Sequence, residues 1–185
     1  MKIIVIGESC KDVFVYGDCN RLSPEAPVPV FVPRYKITSD GMASNVCKNL
    51  ETLGCIVTYL HGAVSKKQRM IDERSKQHLL RVDRDNESDP IVFDTLIPPG
   101  YDAIVISDYN KGTVSYELIE ELVKEVNVPI FVDTKKTDLA RLSGCYIKIN
   151  ALEKSRATSL PDPEHLIVTH GGDGAVWNGW VYSAE

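Results

Sequence analysis

The sequence predicts an α/β fold with a mostly parallel central sheet and a small β flap, and a few observations carry that prediction. First, strand-length apolar runs end in polar turn residues: Ala103 to Ile106 before Ser107-Asp108, Ile130 to Val132 before Asp133-Thr134, and Tyr146 to Ile149 before Asn150. Second, Leu118, Ile119, Leu122, Val123 and Val126 recur at helical spacing between the first two runs, with Ser115 placed as N-cap and Glu117 in the first turn. Strand, helix and strand in that order form a βαβ unit, which requires a parallel pair. Third, Pro24, Pro27, Pro29 and Pro33 exclude both a helix and a central strand, so this segment is extended and lies at an edge.

Taken in order, Lys2 to Ile6 reads as a buried strand closed by Gly7. Val13 to Tyr16 reads as a strand that leaves the main sheet, and Gly17 to Asn20 as a turn. Val28, Val30 and Val32 share one face at period two, which places flap strands at about 13–16 and 28–36. Such a flap is expected to close over the strand ends and exclude water from a reacting group. The same apolar edge suits contact with a second copy, so a homodimer through the flap is expected. Ala43, Val46, Cys47, Leu50 and Leu53 line one helical face ending at Gly54, with Gly41 at the helix start and Asn45 in the first turn. Cys55 to Leu60 supplies another strand. Lys66-Lys67, Arg69 and Arg74 to Lys76 are interrupted by Asp72 and Glu73 and read as a solvated face. Asn178-Gly179 marks a closing hairpin.

The chain has 185 residues, 43% apolar and 25% charged, which fits one globular domain spanning 1–185. A net charge of -5 argues against nucleic-acid backbone binding as its main role. The 5 cysteines lack Cys-x-x-Cys spacing and the 4 histidines form no ligand pair, which points to a reduced, cytoplasmic protein without a zinc site. Met1 leads directly into a strand, and no apolar run reaches membrane-spanning length, so neither a leader nor a membrane partner is expected.

Open parallel sheets bind ligands beyond the carboxyl ends of their strands. Asp108, Lys111, Asp133, Lys135, Asn150 and Glu153 are expected to converge there, a mixture of carboxylates, amines and an amide suited to phosphate and metal.

Longer words in the sequence carry a resemblance. Gly7 to Asp12, Tyr16 to Val30 with its Arg-Leu-Ser-Pro-Glu-Ala-Pro-Val-Pro-Val, and Asp40 to Val46 resemble the ribokinase/PfkB family of carbohydrate kinases, most of all its heptose 7-phosphate kinase branch. Gln77 to Arg84, Ser107 to Gly112, Val132 to Lys136, Lys148 to Glu153 and Val168 to Gly174 continue the match in order. The resemblance implies a ribokinase-like three-layer sandwich with a β-flap lid. It further implies an ATP- and magnesium-dependent transfer of the γ-phosphoryl group to a sugar or sugar phosphate.

By that resemblance Asp12, Gly41 and Asn45 bind the sugar, and Asp108 and Lys111 complete the substrate site. Lys135, Asn150, Thr169, Gly171 and Gly174 line the nucleotide, and Glu153 acts on magnesium through bound water. The pattern departs from the family where Gly41-Met42 replaces two glycines, and between Leu60 and Gln77, where roughly one βα unit is missing and a narrower sheet is expected. The family's Gly-Ala-Gly-Asp, which supplies the anion hole and the base, does not occur in these residues. The resemblance therefore implies a domain incomplete at its C-terminus and assigns no catalytic base, Asp173 included. Alternatives are a non-catalytic sugar- or nucleotide-binding relative, and a nucleotidyltransferase, for which neither His61-Gly62 nor His170-Gly171 supplies the His-x-Gly-His motif.

Overall fold

The computed structural model describes residues 1–93 and 100–184. The chain forms two compact units: Met1–Glu8, Met42–Ala63 and Glu87–Glu185 make the first, and Ser9–Gly41 with Val64–Asn86 the second.

The first unit is built on β1 (Lys2–Gly7), β4 (Ile56–Leu60), β7 (Ala103–Asp108), β8 (Ile130–Thr134), β9 (Tyr146–Asn150), β10 (Leu166–Thr169), β11 (Ala175–Trp177) and β12 (Trp180–Tyr182). They form one 8-stranded sheet in the order β12-β11-β10-β9-β8-β7-β1-β4. Pairing is parallel from β4 through β10, while the β10–β11 and β11–β12 pairs are antiparallel. Its register sets Trp177 opposite Trp180, which leaves Asn178-Gly179 as the two-residue loop that the sequence predicts.

Helix α2 (Tyr116–Glu125) forms where the apolar spacing places it, and Ser115 Oγ accepts the Leu118 N–H at 3.0 Å as its N-cap. Its buried Leu118, Ile119 and Leu122 pack on Ile4, Ile6, Ile104, Ile106, Ile130 and Val132 of one sheet face. Burying each such side chain contributes about 1.5–3 kcal/mol, and Leu122→Ala would cost about 2–5 kcal/mol. Helix α1 (Ala43–Thr52) covers Ile3 and Val5 on the other face through Ala43 and Cys47. Between β8 and β9 the chain makes a 3₁₀ turn, Leu139–Leu142. A second short helix, α3 (Ala151–Arg156), starts directly after β9.

The second unit is a 4-stranded sheet in the order β3-β2-β5-β6, made of β2 (Ser9–Leu22), β3 (Pro29–Met42), β5 (Val64–Asp72) and β6 (His78–Arg84). The flap strands expected at 13–16 and 28–36 are there but far longer. Val13 and Val15 bury one face of β2, and pairing with β5 from Ser9 to Gly17 carries the strand past its predicted ends. Of the basic run, Lys66, Lys67 and Arg69 lie in β5, which pairs parallel to β2 and antiparallel to β6 as an interior strand. Arg74 to Lys76 lie beyond it and are exposed, as a solvated face is.

Candidate functional site

In the first unit, polar groups gather at the carboxyl ends of β1, β7, β8 and β9. Glu8 follows β1 and is 3% exposed. Its Oε2 accepts the Tyr109 N–H at 2.7 Å and its Oε1 the Lys111 N–H at 3.1 Å, so one carboxylate grips the backbone of the turn after β7. Asp108 grips the same turn from the opposite end. Its Oδ1 accepts the Asn110 N–H at 2.7 Å, and its Oδ2 accepts the Thr134 hydroxyl at 2.6 Å. Lys136 Nζ stands 3.2 Å from that Oδ2 and donates to the Val114 carbonyl at 2.7 Å. The turn passes through Asn110 at φ 57, a left-handed conformation that asparagine tolerates better than most residues.

Asp108 is therefore turned inward. Its side chain is fully buried and both oxygens are engaged in holding the turn. Lys111 sits on the turn so held. Sequence reasoning overlooked Glu8, Thr134 and Lys136. The adjacent Lys135 had been singled out, and it is the more exposed of the two lysines.

Lys135 reaches across to Glu153 in an ion pair and stands 5.9 Å from the Tyr109 ring centre. Glu153 and Asn150 form a reciprocal capping box at the start of α3: Asn150 Oδ1 accepts the Glu153 N–H at 2.9 Å, and Glu153 Oε2 accepts the Asn150 N–H at 2.7 Å. Asn150, Glu153 and Lys135 thus meet, as the sequence predicts. Both oxygens of Glu153 already hold donors, and among the described residues no three His, Cys, Asp or Glu side chains cluster closely enough to bind a metal ion. This donor set does not make a direct magnesium site. Asp133 pairs with Lys148 at 3.0 Å.

At the far end of the parallel strands, Thr169 closes β10, and Gly171 begins a 3₁₀ turn, Gly171–Asp173. A cavity of about 260 Å³ opens beside them, lined by His170, Asp173, Ala175, Val176 and Val181. Gly174 belongs to the hairpin packing: at φ 95, a Cβ there would run into the Tyr182 carbonyl. The turn leads into β11, not into a helix, as the sequence indicates for Asp173.

Asn45 lies exposed in the first turn of α1. The helix begins after Met42, whose φ 56 and ψ -136 describe a backbone suited to glycine, at a strain of about 1–3 kcal/mol for other residues.

Gly41 is the next-to-last residue of β3 and directly precedes the Met42 N-cap of α1, so it stands at the helix start as expected. In the second unit it faces Asp12 so closely that a Cβ would meet the Asp12 carboxylate. Asp12 also takes a hydrogen bond from Arg69 at 2.5 Å, and the guanidinium lies 5.0 Å from the Phe14 ring centre. The two paired side chains are only 19% and 21% exposed. Arg69 was missed because it sits in the basic run assigned to solvent. Its two-residue spacing from Lys67 was the available signal, since it puts both on one strand face.

Comparison with known proteins bears on this arrangement. No protein-family model matches the chain. It is 31% identical over 194 aligned residues to the bifunctional protein HldE of Nitratiruptor sp., covering 84% of this chain and 41% of that protein. It is 30% identical to HldE of Hyphomonas neptunium, covering 84% and 40%. The chain thus spans about two fifths of the length of these curated relatives. Ribokinase from Thermotoga maritima superposes with a TM-score of 0.55 at 13% identity, over 98% of this chain and 76% of that one. Phosphofructokinase-2 from Escherichia coli, in complex with fructose-6-phosphate, gives 0.56 at 12% identity, over 98% and 78%. Arabidopsis thaliana ribokinase complexed with ribose and ATP gives 0.54 at 10% identity, over 94% and 73%. These likenesses establish the ribokinase-like fold.

Proposed function

Because the chain belongs to the ribokinase/PfkB family of carbohydrate kinases, we propose that it binds a heptose phosphate or similar sugar together with ATP, in the transfer of the γ-phosphoryl group to a sugar hydroxyl. The observation that carries this reading is the turn after β7, clamped by Glu8 on one side and by Asp108 with Lys136 on the other. Such clamping fixes the backbone under Lys111 at the strand ends where parallel sheets take their ligands.

Asp12, Gly41 and Asn45 are the proposed sugar contacts, and Lys111 is proposed for a phosphate as a point charge. Lys135, Asn150, Thr169, Gly171 and Gly174 are proposed for the nucleotide. Magnesium, when it accompanies ATP, neutralises phosphate charge, and Glu153 is proposed as an outer partner to its water shell. Asp108 is proposed to act through the turn. A homodimer is proposed along β3, whose Val32, Tyr35 and Ile37 are exposed, with Val28 exposed directly before it.

The 185 residues contain no Gly-Ala-Gly-Asp, which favours a second reading in which they bind ligands without turning them over. ADP release with heptose 7-phosphate and magnesium-ATP, run beside thermal-shift titrations of each ligand, separates the two. Stabilisation by sugar and nucleotide with negligible ADP release supports binding by these residues alone. Release on the order of 1 s⁻¹ would show that they carry catalysis themselves. No stabilisation by any sugar or nucleotide would sink both.

A further inference from the structure

We propose that one face of strands β8 to β12, the side on which α1 lies, is a docking surface for a helical partner polypeptide that packs its apolar side on Phe131, Trp177 and Trp180. This goes beyond the sugar-kinase reading and does not depend on it.

Register defines the face, because residues paired across strands project to the same side of a sheet. One row runs from Val105 of β7 through Phe131 to Tyr146. The next runs from Asp133 through Lys148 and Ile167 to Trp177 and Trp180. The opposite side of the same strands is finished: Ile130, Val132, Ile147 and Val168 are at most 3% exposed in the core that includes the apolar side of α2. On the near side, α1 covers β4, β1 and β7, with Val57, Val5 and Val105 in its cluster. Past Val105 the face runs into solvent. Phe131 is 42% exposed, Trp177 39% and Trp180 70%.

A helix is the cover that a parallel sheet takes, since parallel strands are almost always flanked by helices on both faces. This sheet already carries α1 on one side and α2 on the other. Five strands at about 4.8 Å spacing make a face about 20 Å wide, which fits two helices with axes about 10 Å apart. The Thermotoga ribokinase and Escherichia coli phosphofructokinase-2 chains are matched here over 76% and 78% of their length, so folds of this kind include further chain of the amount such helices need.

Charge narrows the chemistry of the partner. Asp133 and Lys148 neutralise each other at 3.0 Å, and no other charged residue lies in the two rows, so neither an acidic nor a basic contact side is selected. Exposed aromatic anchors suit aliphatic side chains from an amphipathic helix.

Trp177 and Trp180 are the only 2 tryptophans in the chain, so its intrinsic fluorescence reports on this face alone. The test titrates the whole chain with the stretch of Nitratiruptor HldE that directly follows the part aligned to it, that stretch having its own tryptophans replaced by phenylalanine. The chain alone is expected to emit as water-exposed tryptophan and to shift to the blue on binding. Phe131→Lys, three strands away from Trp177, is expected to weaken binding about tenfold or more. Leu53→Lys, 79% exposed just after α1, is expected to leave it unchanged, and melting temperatures check that both variants fold. No blue shift, or equal weakening by the two variants, overturns the proposal. Blue emission from the chain alone also overturns it, because the face is then already covered; a dimer by light scattering that Phe131→Lys dissolves would identify that cover as a second copy.

Discussion

Lys136 Nζ lies 3.2 Å from Asp108 Oδ2, and the two side chains are only 5% and 0% exposed, so this ion pair is sealed inside the first unit. Buried pairs add little over an apolar replacement, but removing one partner is severe. Lys136→Met strands a carboxylate and is expected to destabilise the chain by about 3–5 kcal/mol in urea unfolding. Adding Asp108→Asn should recover part of that loss. A double-variant loss equal to the sum of the two single losses would show that the two residues are not coupled.

Glu8 satisfies the Tyr109 and Lys111 amides from a buried position. Glu8→Ala leaves both without their acceptor and is expected to cost about 1–3 kcal/mol for each amide that water does not reach. Hydrogen exchange should quicken at residues 109–111 before it changes in α2. Uniform acceleration across the unit would instead mean that Glu8 supports the fold at large.

Those two groups also show where the sequence was legible. Strands β7, β8 and β9 and helix α2 follow from contiguous apolar periodicity, which is local. Glu8 and Lys136 look like ordinary surface residues, because what buries them is chain from elsewhere: Tyr109 is 101 positions beyond Glu8, and Val114 is 22 positions before Lys136. β5 was obscured for a related reason. Lys66, Lys67, Gln68 and Arg69 give no apolar run, and their strand identity comes from β2 on one side and β6 on the other.

Asp72 closes the β5–β6 turn by accepting the Ser75 hydroxyl at 2.6 Å and the Ser75 N–H at 2.8 Å. The hydroxyl first, then the amide, hold its carboxyl below the ordinary 3.8. A depressed folded value means that the stabilisation is complete above the unfolded pKa and is lost as pH falls through the folded one. The wild type should therefore lose more stability than Asp72→Asn on acidification from about pH 5 to about pH 2. Parallel pH profiles for the two proteins would count against this turn as a source of acid sensitivity.

Burial raises the Cys145 thiol to about 12, and burial with the nearby Glu51 raises Cys47 to about 11. Cys10 is buried as well, whereas Cys19 and Cys55 are partly exposed. Iodoacetamide at pH 8 should label Cys19 and Cys55 in the native protein and all 5 cysteines in denaturant. Prompt native labelling of Cys145 would mean that the core around β9 opens readily.

The parallel pairing of β2 with β5 matches Ser9 to Val64, an offset of 55 positions, and the intervening chain builds α1 and β4 of the other unit. A nascent chain consequently holds β2 for a long interval with one of its final neighbours still unmade. The small sheet begins early in the sequence and is completed only when residue 84 has emerged. Its assembly carries a heavy loop-closure penalty and belongs late in folding. For the same reason no single continuous excision isolates it: a 9–86 fragment carries α1 and β4 without the strands and core they pack on, while 9–41 alone lacks β5 and β6.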